Sequence, residues 1–554
     1  MYPLYSAMPL PGPAAPLAPH ALPPAAGEAT AVVRSARTVA AGTMASRVLG
    51  LARDATLAHI LGAGAAGDAF AVAFRIPNLF REIVGEGALT SAFLPCYAAR
   101  KAAGDPEGAR RLFRTTFTLL AGVLAALSLA AVAFFLLVPP AAFRPDDPGK
   151  TALVLDLCAW CFPYAVLVCA AALFAAALQA EGRFAVPALA PAVMNAAWIL
   201  GTWLLQPIFA STPEGRARAV AASVLVAGLA QAALALPLLR RLGLSPRPLL
   251  DLADPALRTM LRRMGPAVLG LAPVQVNLLL NALLAEALVP GDGANSALWY
   301  SSRLLQLPLA LVGVSLGVAA FPTFARMAAE DRRGDLGRTA ASSLRTTLLL
   351  SMPSAAGLAV LALPVTLALF GHGRFGAADA EAAAAVLRCA LVGLPAFCAL
   401  QVVTRLFHSM GDTATPVRVG AWTVALNFAG NLALVGVLRE RGLALSTALT
   451  AWMNLAILLW IAWRRHRVRG LRSLGGAAVR SGIGSVAAGA AALGAAEAVS
   501  RLAPLDGSAL ALAVAAVGLI AAAAVSAGAA LLLRDPDAAA LRTSLLGRGA
   551  PRTG

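Results

Sequence analysis

The chain has 554 residues, of which 59% are hydrophobic and only 13% charged, where a soluble domain carries roughly 25% charged residues. Long apolar runs recur from one end to the other, so the composition excludes a mainly soluble protein and points to an all-α polytopic membrane protein, because lipid leaves no water for free backbone groups. A membrane barrel is excluded by the length of the runs, and the net charge of +18 fits cytoplasmic loops that set topology better than nucleic-acid binding.

Residues 1–35 are rich in Pro and Ala (MYPLYSAMPLPGPAAPLAPHALPPAAGEA at the start). They lack the basic start and cleavage site of a signal peptide and read as a disordered cytoplasmic tail. Fourteen spans are predicted, at 37–61, 67–99, 112–138, 152–180, 186–206, 218–239, 262–288, 295–325, 343–370, 380–408, 416–438, 443–463, 477–500 and 508–533; a second cytoplasmic tail covers 535–554. Loop charge tests this count. Arg100, Lys101, Arg110, Arg111 and Arg114 follow span 2, and Arg240, Arg241, Arg247, Arg258, Arg262 and Arg263 follow span 6. Arg326, Arg332, Arg333 and Arg338 follow span 8, and Arg464, Arg465, Arg467, Arg469 and Arg472 follow span 12. The odd-numbered connections are poorer: Arg144 and Lys150 stand beside Asp146 and Asp147, then come Arg216 and Arg218. Even-numbered connections and both termini are therefore expected in the cytoplasm.

The chain also repeats itself. Arg75 precedes Phe93 by eighteen residues, as Arg303 precedes Phe321, and Gly85 and Gly313 each precede the same phenylalanines by eight. FRTTFTLL and LRTTLLLS open the next spans, and Gly182 and Gly411 each precede a proline by five residues. Spans 1–6 and 7–12 thus read as two pseudo-symmetric six-helix lobes, 36–241 and 258–472, in parallel orientation, with two helices appended over 473–534. Such a repeat places a substrate site between the lobes near the membrane midplane.

Within spans so apolar, charge needs a reason: each Arg or Asp near the bilayer centre costs about 2.5–3.5 kcal/mol on insertion scales. Span 1 carries Arg47, Arg53 and Asp54 in SRVLGLARDATLAHILG; span 2 carries Asp68, Arg75, Asn78, Arg81, Glu82 and Glu86; span 8 carries Arg303 in WYSSRLLQLPL. Asn78, Arg81 and Gly85 share one helix face, and Pro77, Gly85 and Gly87 are expected to interrupt span 2 beside a cavity. Arginines from both lobes make a positive, hydrated cavity suited to an anion, and the planar guanidinium fork suits phosphate. Each arginine taken alone has a plainer reading, as a snorkelling or packing residue or the partner of a nearby acid. Cys158 and Cys161 form a CxxC inside an apolar run, without the second pair or nearby His that a metal site needs.

The stretch SRVLGLARDATLAHILGAGAAGDAFAVAFRIPNLFREIVGEGALTSAFLP, together with MGPAVLGLAPVQVN, YSSRLLQLPLALVGVSLGVAAFP, FGHGRF and RLFHSMGDTATP, resembles the MurJ/MviN family, the lipid II flippases of bacteria. The resemblance spans about Ala36 to Arg472; the last two spans and the N-terminal tail match only in position. It implies the fold of the multidrug/oligosaccharidyl-lipid/polysaccharide exporter superfamily, two six-helix lobes in a V plus two C-terminal helices. It implies lipid II, undecaprenyl-diphosphate carrying the peptidoglycan disaccharide-peptide, as substrate, moved between leaflets of the bacterial cytoplasmic membrane by alternating access.

By the same resemblance, the family's essential cavity arginines fall on Arg47, Arg53, Arg81 and Arg303, and its acidic residues fall on Asp68 and Glu86; Asn78, on the face of Arg81, and Ser46 are expected to join the arginines in binding the substrate. Asp68, Glu86, Gly85 and Gly87 are the expected gating and cavity residues. Glu82 stands where a second basic residue is common, and His408 where Tyr is frequent. Some relatives bind sodium in the C-terminal lobe, but no ligand set for it is placed here. The expected partners are lipid II, membrane lipids and the cell-wall synthesis machinery, with no nucleic acid, cofactor, metal or catalytic residue. No Walker A motif is present. Three rivals stand beside this reading: a flippase or exporter of the same fold for another polyprenyl-linked glycan or drug, a non-transporting cell-wall scaffold, and a membrane glycosyltransferase, for which no loop is long enough.

Overall fold

In the computed structural model, residues 26–142, 147–209, 211–468, 470, 473–503 and 507–533 are described. Among them the protein is helical throughout, without strands. The two predicted tails lie largely or wholly outside these residues, as do Arg144, Arg469 and Arg472 of the loop-charge pattern; the first helix, however, already runs from Ala26.

In chain order the helices are α1 (Ala26–Leu61), α2 (Ala65–Phe80, then Arg81–Leu89 and Thr90–Ala102), α3 (Pro106–Leu137), α4 (Pro148–Ala180), α5 (Ala185–Leu205), α6 (Pro213–Arg241), α7 (Pro255–Leu288) and α8 (Ala294–Ala329). They continue with α9 (Arg333–Val360 and Ala362–Phe370), α10 (Ala377–Leu391 and Leu394–Ser409), α11 (Ala414–Leu438), α12 (Glu440–Arg464), α13 (Ser473–Leu502) and α14 (Gly507–Leu532). Ten of these are long and apolar enough to cross a membrane unbroken, and α9 and α10, bent by 71° and 48°, bring the number to twelve. The other two, α1 and α2, are the helices in which charge is concentrated, so the set is compatible with fourteen spans.

Local chemistry sets the helix starts. The side chains of Asp105, Asp147, Thr212 and Asp254 each accept a hydrogen bond from a first-turn backbone N–H, and a proline follows each of them. This pairing caps the free N–H groups and supplies a residue with helical φ and no N–H to satisfy.

The repeat predicted between the lobes has a structural signature. Arg81–Leu89 in α2 and Leu309–Val314 in α8 are both π-helical. A β-carbon on Gly85 would lie 3.6 Å from Cys169 Sγ of α4; one on Gly313 would lie 2.7 Å from Cys398 Cα of α10. In each lobe, then, a glycine in a widened turn lets the second helix approach the fourth. This corrects one expectation: Pro77, Gly85 and Gly87 do not interrupt α2, because the π-turn absorbs the irregularity and the helix runs on.

The packing is asymmetric across the membrane. One continuous apolar core joins residues of both lobes, including Phe70, Phe74 and Trp198 with Trp299, Tyr300 and Phe375. Toward the other end the core divides into one cluster around Phe93, Phe113 and Phe174 and another around Phe324, Phe407 and Leu458. Apart from α7, which runs along α2, the substantial contacts between the lobes are α2 with α8 and α1 with the short second half of α9. The lobes are therefore closed together at the end holding the α1–α2 and α7–α8 connections; at the other end only α7, through Leu257 and Met260, joins the first lobe's cluster, and the rest of the second lobe packs around its own.

Candidate functional site

The centre of the site is a carboxylate. Asp54 on α1 is buried, its side chain 4% exposed. Arg53 Nε and Nη2 both donate to its Oδ1, at 3.1 and 2.7 Å. From the other lobe, Arg303 Nε lies 3.3 Å from its Oδ2. One acid thus holds an arginine from each lobe. Each guanidinium is also stacked, Arg53 over Trp198 of α5 at 4.7 Å and Arg303 over Trp299 at 4.4 Å, which orients the fork and offsets part of its lost hydration. Arg53 Nη1 donates to Asn195 Oδ1 at 3.0 Å, and Asn195 Nδ2 donates to the Ser46 carbonyl at 3.1 Å.

A second polar group sits on α2, on the face that the spacing of Asn78 and Arg81 predicted. Arg81 Nε donates to Asn78 Oδ1 and Asn78 Nδ2 to Glu82 Oε1, both at 2.9 Å. Glu82 also pairs with Arg81 at 3.5 Å and accepts from Gln275 of α7. Arg53, Arg81, Asp54 and Glu82 all lie within electrostatic reach of Arg303, so the two groups are neighbours. Arg75 plays a different part: its Nη1 donates to the Leu278 carbonyl of α7 at 3.0 Å.

A third group closes the opposite end. Asp68 is fully buried and accepts from Gly293 N, Ser296 N and Ser296 Oγ, each at 2.8 Å. These are donors at the start of α8, where free N–H groups favour an anion. Lys150 Nζ lies 3.1 Å from Asp68, 3.3 Å from Glu286 and 3.2 Å from Asp292. In the sequence Lys150 reads as a loop charge; in the structure it sits in the first turn of α4 and is buried.

Of the predicted site residues, Arg53, Arg81, Arg303 and Asn78 are therefore brought together, and Asp68 lies at the closed end. Arg47 is exposed and Ser46 half-buried, six and seven residues before Arg53, or about 9–10 Å along the helix at its usual rise. Gly87 allows α7 to approach, since a β-carbon there would overlap Leu271 Cδ1. The side chain of Glu86 lies outside the described residues. Sequence reasoning left out Asp54, Asn195, Gln275, Lys150 and Glu286 as site residues. Only Asp54 carried a signal, being an acid next to an arginine inside a span.

Beside the cavity runs an apolar groove of about 960 Å³, lined by Leu304, Leu307 and Leu311 of α8, Leu349 and Pro353 of α9, and Leu519 of α14. It is near the upper end of ordinary ligand-site volumes, roughly 300–1,000 Å³, and begins one residue from Arg303.

Comparison with known proteins gives consistent relatives. The family model described as "Lipid II flippase MurJ" matches residues 57–504. A probable lipid II flippase MurJ of Vibrio cholerae is 34% identical over 442 residues, covering 77% of this chain and 82% of that protein. The lipid II flippase MurJ of Burkholderia cenocepacia is 31% identical over 441 residues, covering 78% and 84%. Among solved structures, "Lipid II flippase MurJ, inward closed conformation" superposes with a TM-score of 0.67 at 20% identity, over 90% of this chain and 99% of that one. An inward-facing multidrug resistance MATE family transporter of the MOP superfamily gives 0.61 at 15% identity, over 77% and 96%. These two likenesses concern the fold; the sequence match is what assigns the family, and by it the chain belongs to the MurJ family of lipid II flippases.

Proposed function

We propose that this chain carries lipid II from the inner to the outer leaflet of the bacterial cytoplasmic membrane by alternating access, with Arg53, Arg81 and Arg303 binding the diphosphate. The observation that carries the reading is Asp54 held between an arginine of each lobe: the protein places its own anion where two lobes converge. A diphosphate offers the same forks more charge and more acceptor oxygens. Arg47, nearer the open end, would meet it first, with Ser46 beside it.

The direction follows from loop charge and packing together. The arginine-rich even-numbered connections set that end, and both termini, in the cytoplasm, which is also the end where, α7 aside, each lobe packs around its own cluster. The headgroup enters there, between lobes divided at about 241 and 258. The polyprenyl tail stays in lipid and lies along the groove between α8, α9 and α14. Binding draws Arg303 from Asp54 to the diphosphate, and the lobes then rock to face outward. No bond is made or broken. The transport needs no nucleotide, and the membrane potential or an ion gradient drives it. The product emerges on the face where the cell-wall synthesis machinery consumes it.

The test is replacement of the native flippase. Cells depleted of it and expressing this chain are assayed for lipid II in the outer leaflet. Arg81→Ala and Arg303→Ala are expected to abolish rescue at normal membrane levels, and full activity in both overturns the arginine site. Binding of lipid II no tighter than that of another prenyl-linked glycan would favour a different cargo on the same fold.

A further inference from the structure

We propose that Arg216 and Arg374 form a phosphate-binding site at the outer mouth of the closed protein, one arginine from each lobe, and that it takes the phosphate of a lipid headgroup in the outer leaflet. The inference rests on the orientation and the alternating access argued above. It gives a role to the FGHGRF stretch, to which the substrate site assigns none.

That stretch, residues 370–375, joins α9 to α10 and is built to hold one side chain in place. Phe370 and Phe375 are buried in the core shared by both lobes, with Phe375 edge-on to Tyr300 at 5.0 Å. Between them the backbone reaches the end of α1, where Arg374 N donates to the His59 carbonyl at 3.0 Å. Two glycines allow this approach, one from each lobe. Gly62 and Gly373 have φ of +67° and +65°; a β-carbon on the first would stand 2.8 Å from the Arg374 carbonyl oxygen, and one on the second 2.6 Å from that of His59. The backbone of Arg374 is thus fixed against the first lobe while its side chain is exposed.

Arg216, at the start of α6 in the first lobe, lies within electrostatic reach of Arg374 and donates to the Ser211 carbonyl. Among the described residues no carboxylate forms an ion pair with either arginine. The acids of the adjoining turns are engaged: Glu214, within reach of Arg216, by Thr212 and its own N–H, Asp379 by Gly376 N at 3.0 Å, and Asp156 by Arg218 at 2.7 Å. Two guanidinium groups of opposite lobes therefore meet with one carboxylate beside them. Their depth is set by His59, whose ring lies 5.6 Å from the exposed Trp203 at the end of α5, with Leu204 and Ile208 exposed next to it. Trp side chains of this kind settle at the membrane–water interface, the level of the lipid phosphates. A phosphate offers both forks acceptor oxygens and removes their repulsion. Because the two arginines part when the lobes open outward, the site is complete only in the closed state, and its ligand favours closure.

The test is a distance measurement across the outer face. Spin labels are placed at Leu137→Cys and Ala378→Cys, exposed positions at the outer ends of α3 and α10, in the full chain reconstituted without lipid II and with the native cysteines replaced. Adding phosphatidylglycerol to phosphatidylcholine bilayers is expected to shift the population toward the short distance, about tenfold in the ratio of closed to open. Arg216→Gln and Arg374→Gln should each remove this response, yet be no more open than wild type in phosphatidylcholine alone, since each relieves a like-charge contact. Arg218→Gln, which removes the same charge from an arginine already paired with Asp156, should keep it. A response that survives in both Arg216→Gln and Arg374→Gln, or that is lost equally in Arg218→Gln, overturns the proposal. So does opening by Arg374→Gln in phosphatidylcholine alone, because the arginine would then be a structural tie. Closure by inorganic phosphate and not by phosphatidylglycerol overturns the lipid as its source and keeps the phosphate site; closure by neither overturns both. With no lipid II present, failure here is separate from a wrong assignment of cargo, which the rescue assay reads.

Discussion

If Asp54 occupies the site that the diphosphate must take, then removing its charge should make anions bind more tightly while transport slows. Asp54→Asn keeps the side chain's shape. At the 3.3 Å separation from Arg303 and an effective dielectric of about 20, the gross attraction lost is about 5 kcal/mol. Most of that is cancelled by the hydration both groups give up, and a charged hydrogen-bonded contact is worth about 1.5–3 kcal/mol net. A diphosphate that no longer has to displace the aspartate should therefore bind roughly tenfold to a hundredfold more tightly. The assay is calorimetric titration of inorganic pyrophosphate, or of a short prenyl diphosphate, into the purified protein in nanodiscs. The counterpart measurement is lipid II translocation, which should fall, because Arg303 loses the group that returns it to the first lobe after release. Pyrophosphate binding to Asp54→Asn that is equal to or weaker than wild type refutes the competition, and Asp54 would then only orient Arg53.

Three more outcomes are expected. Gly313→Ala should lower the melting temperature more than Gly85→Ala, because its new β-carbon lies 2.7 Å from the Cys398 backbone while that of Gly85 first meets Ala172 Cβ at 3.3 Å; overpacking of this kind costs about 1–3 kcal/mol. Ala523→Phe, which fills the groove between α8, α9 and α14, should reduce lipid II translocation in vesicles while leaving pyrophosphate affinity unchanged. Asp412 lies in the α10–α11 connection; burial raises its pKa, but the Thr415 hydroxyl and N–H and the His466 ring outweigh this and hold it below its ordinary 3.8. Its contribution is therefore present above the ordinary carboxyl range and lost as pH falls through the lowered value, so Asp412→Asn should destabilise the protein at pH 7 and converge with wild type as the pH of a melting series is taken down through that value.

Fold and site were legible in the sequence to different depths. Fourteen apolar runs, loop arginines that alternate and a repeat offset marked by Arg75/Arg303 and Gly85/Gly313 carry the architecture, because a bilayer imposes helix, length and loop charge on any chain that crosses it. The arginines of the cavity were visible for a related reason: charge in a span is costly wherever it faces lipid, so its presence announces a cavity. What those signals cannot say is which side chains meet. The Pro77–Gly87 stretch looked like a break, but the helix runs through Pro77 and on through a π-helical segment, Arg81–Leu89. Arg81 and Arg303 both looked like substrate ligands, yet one is tied to its own helix through Asn78 and Glu82, and the other to Asp54 of the opposite lobe.

Lys150 marks the limit most clearly. In the sequence it is one basic residue among acids in a short connection, indistinguishable from the charges that set topology. Its partners lie more than eighty residues away along the chain, and only the closing of two lobes at one end removes it from water and sets it among three acids. Local chemistry, meaning hydropathy, caps and spacing, is written residue by residue and is read from the chain alone. Pairing across lobes depends on how the helices dock, and that was decided by the tertiary structure.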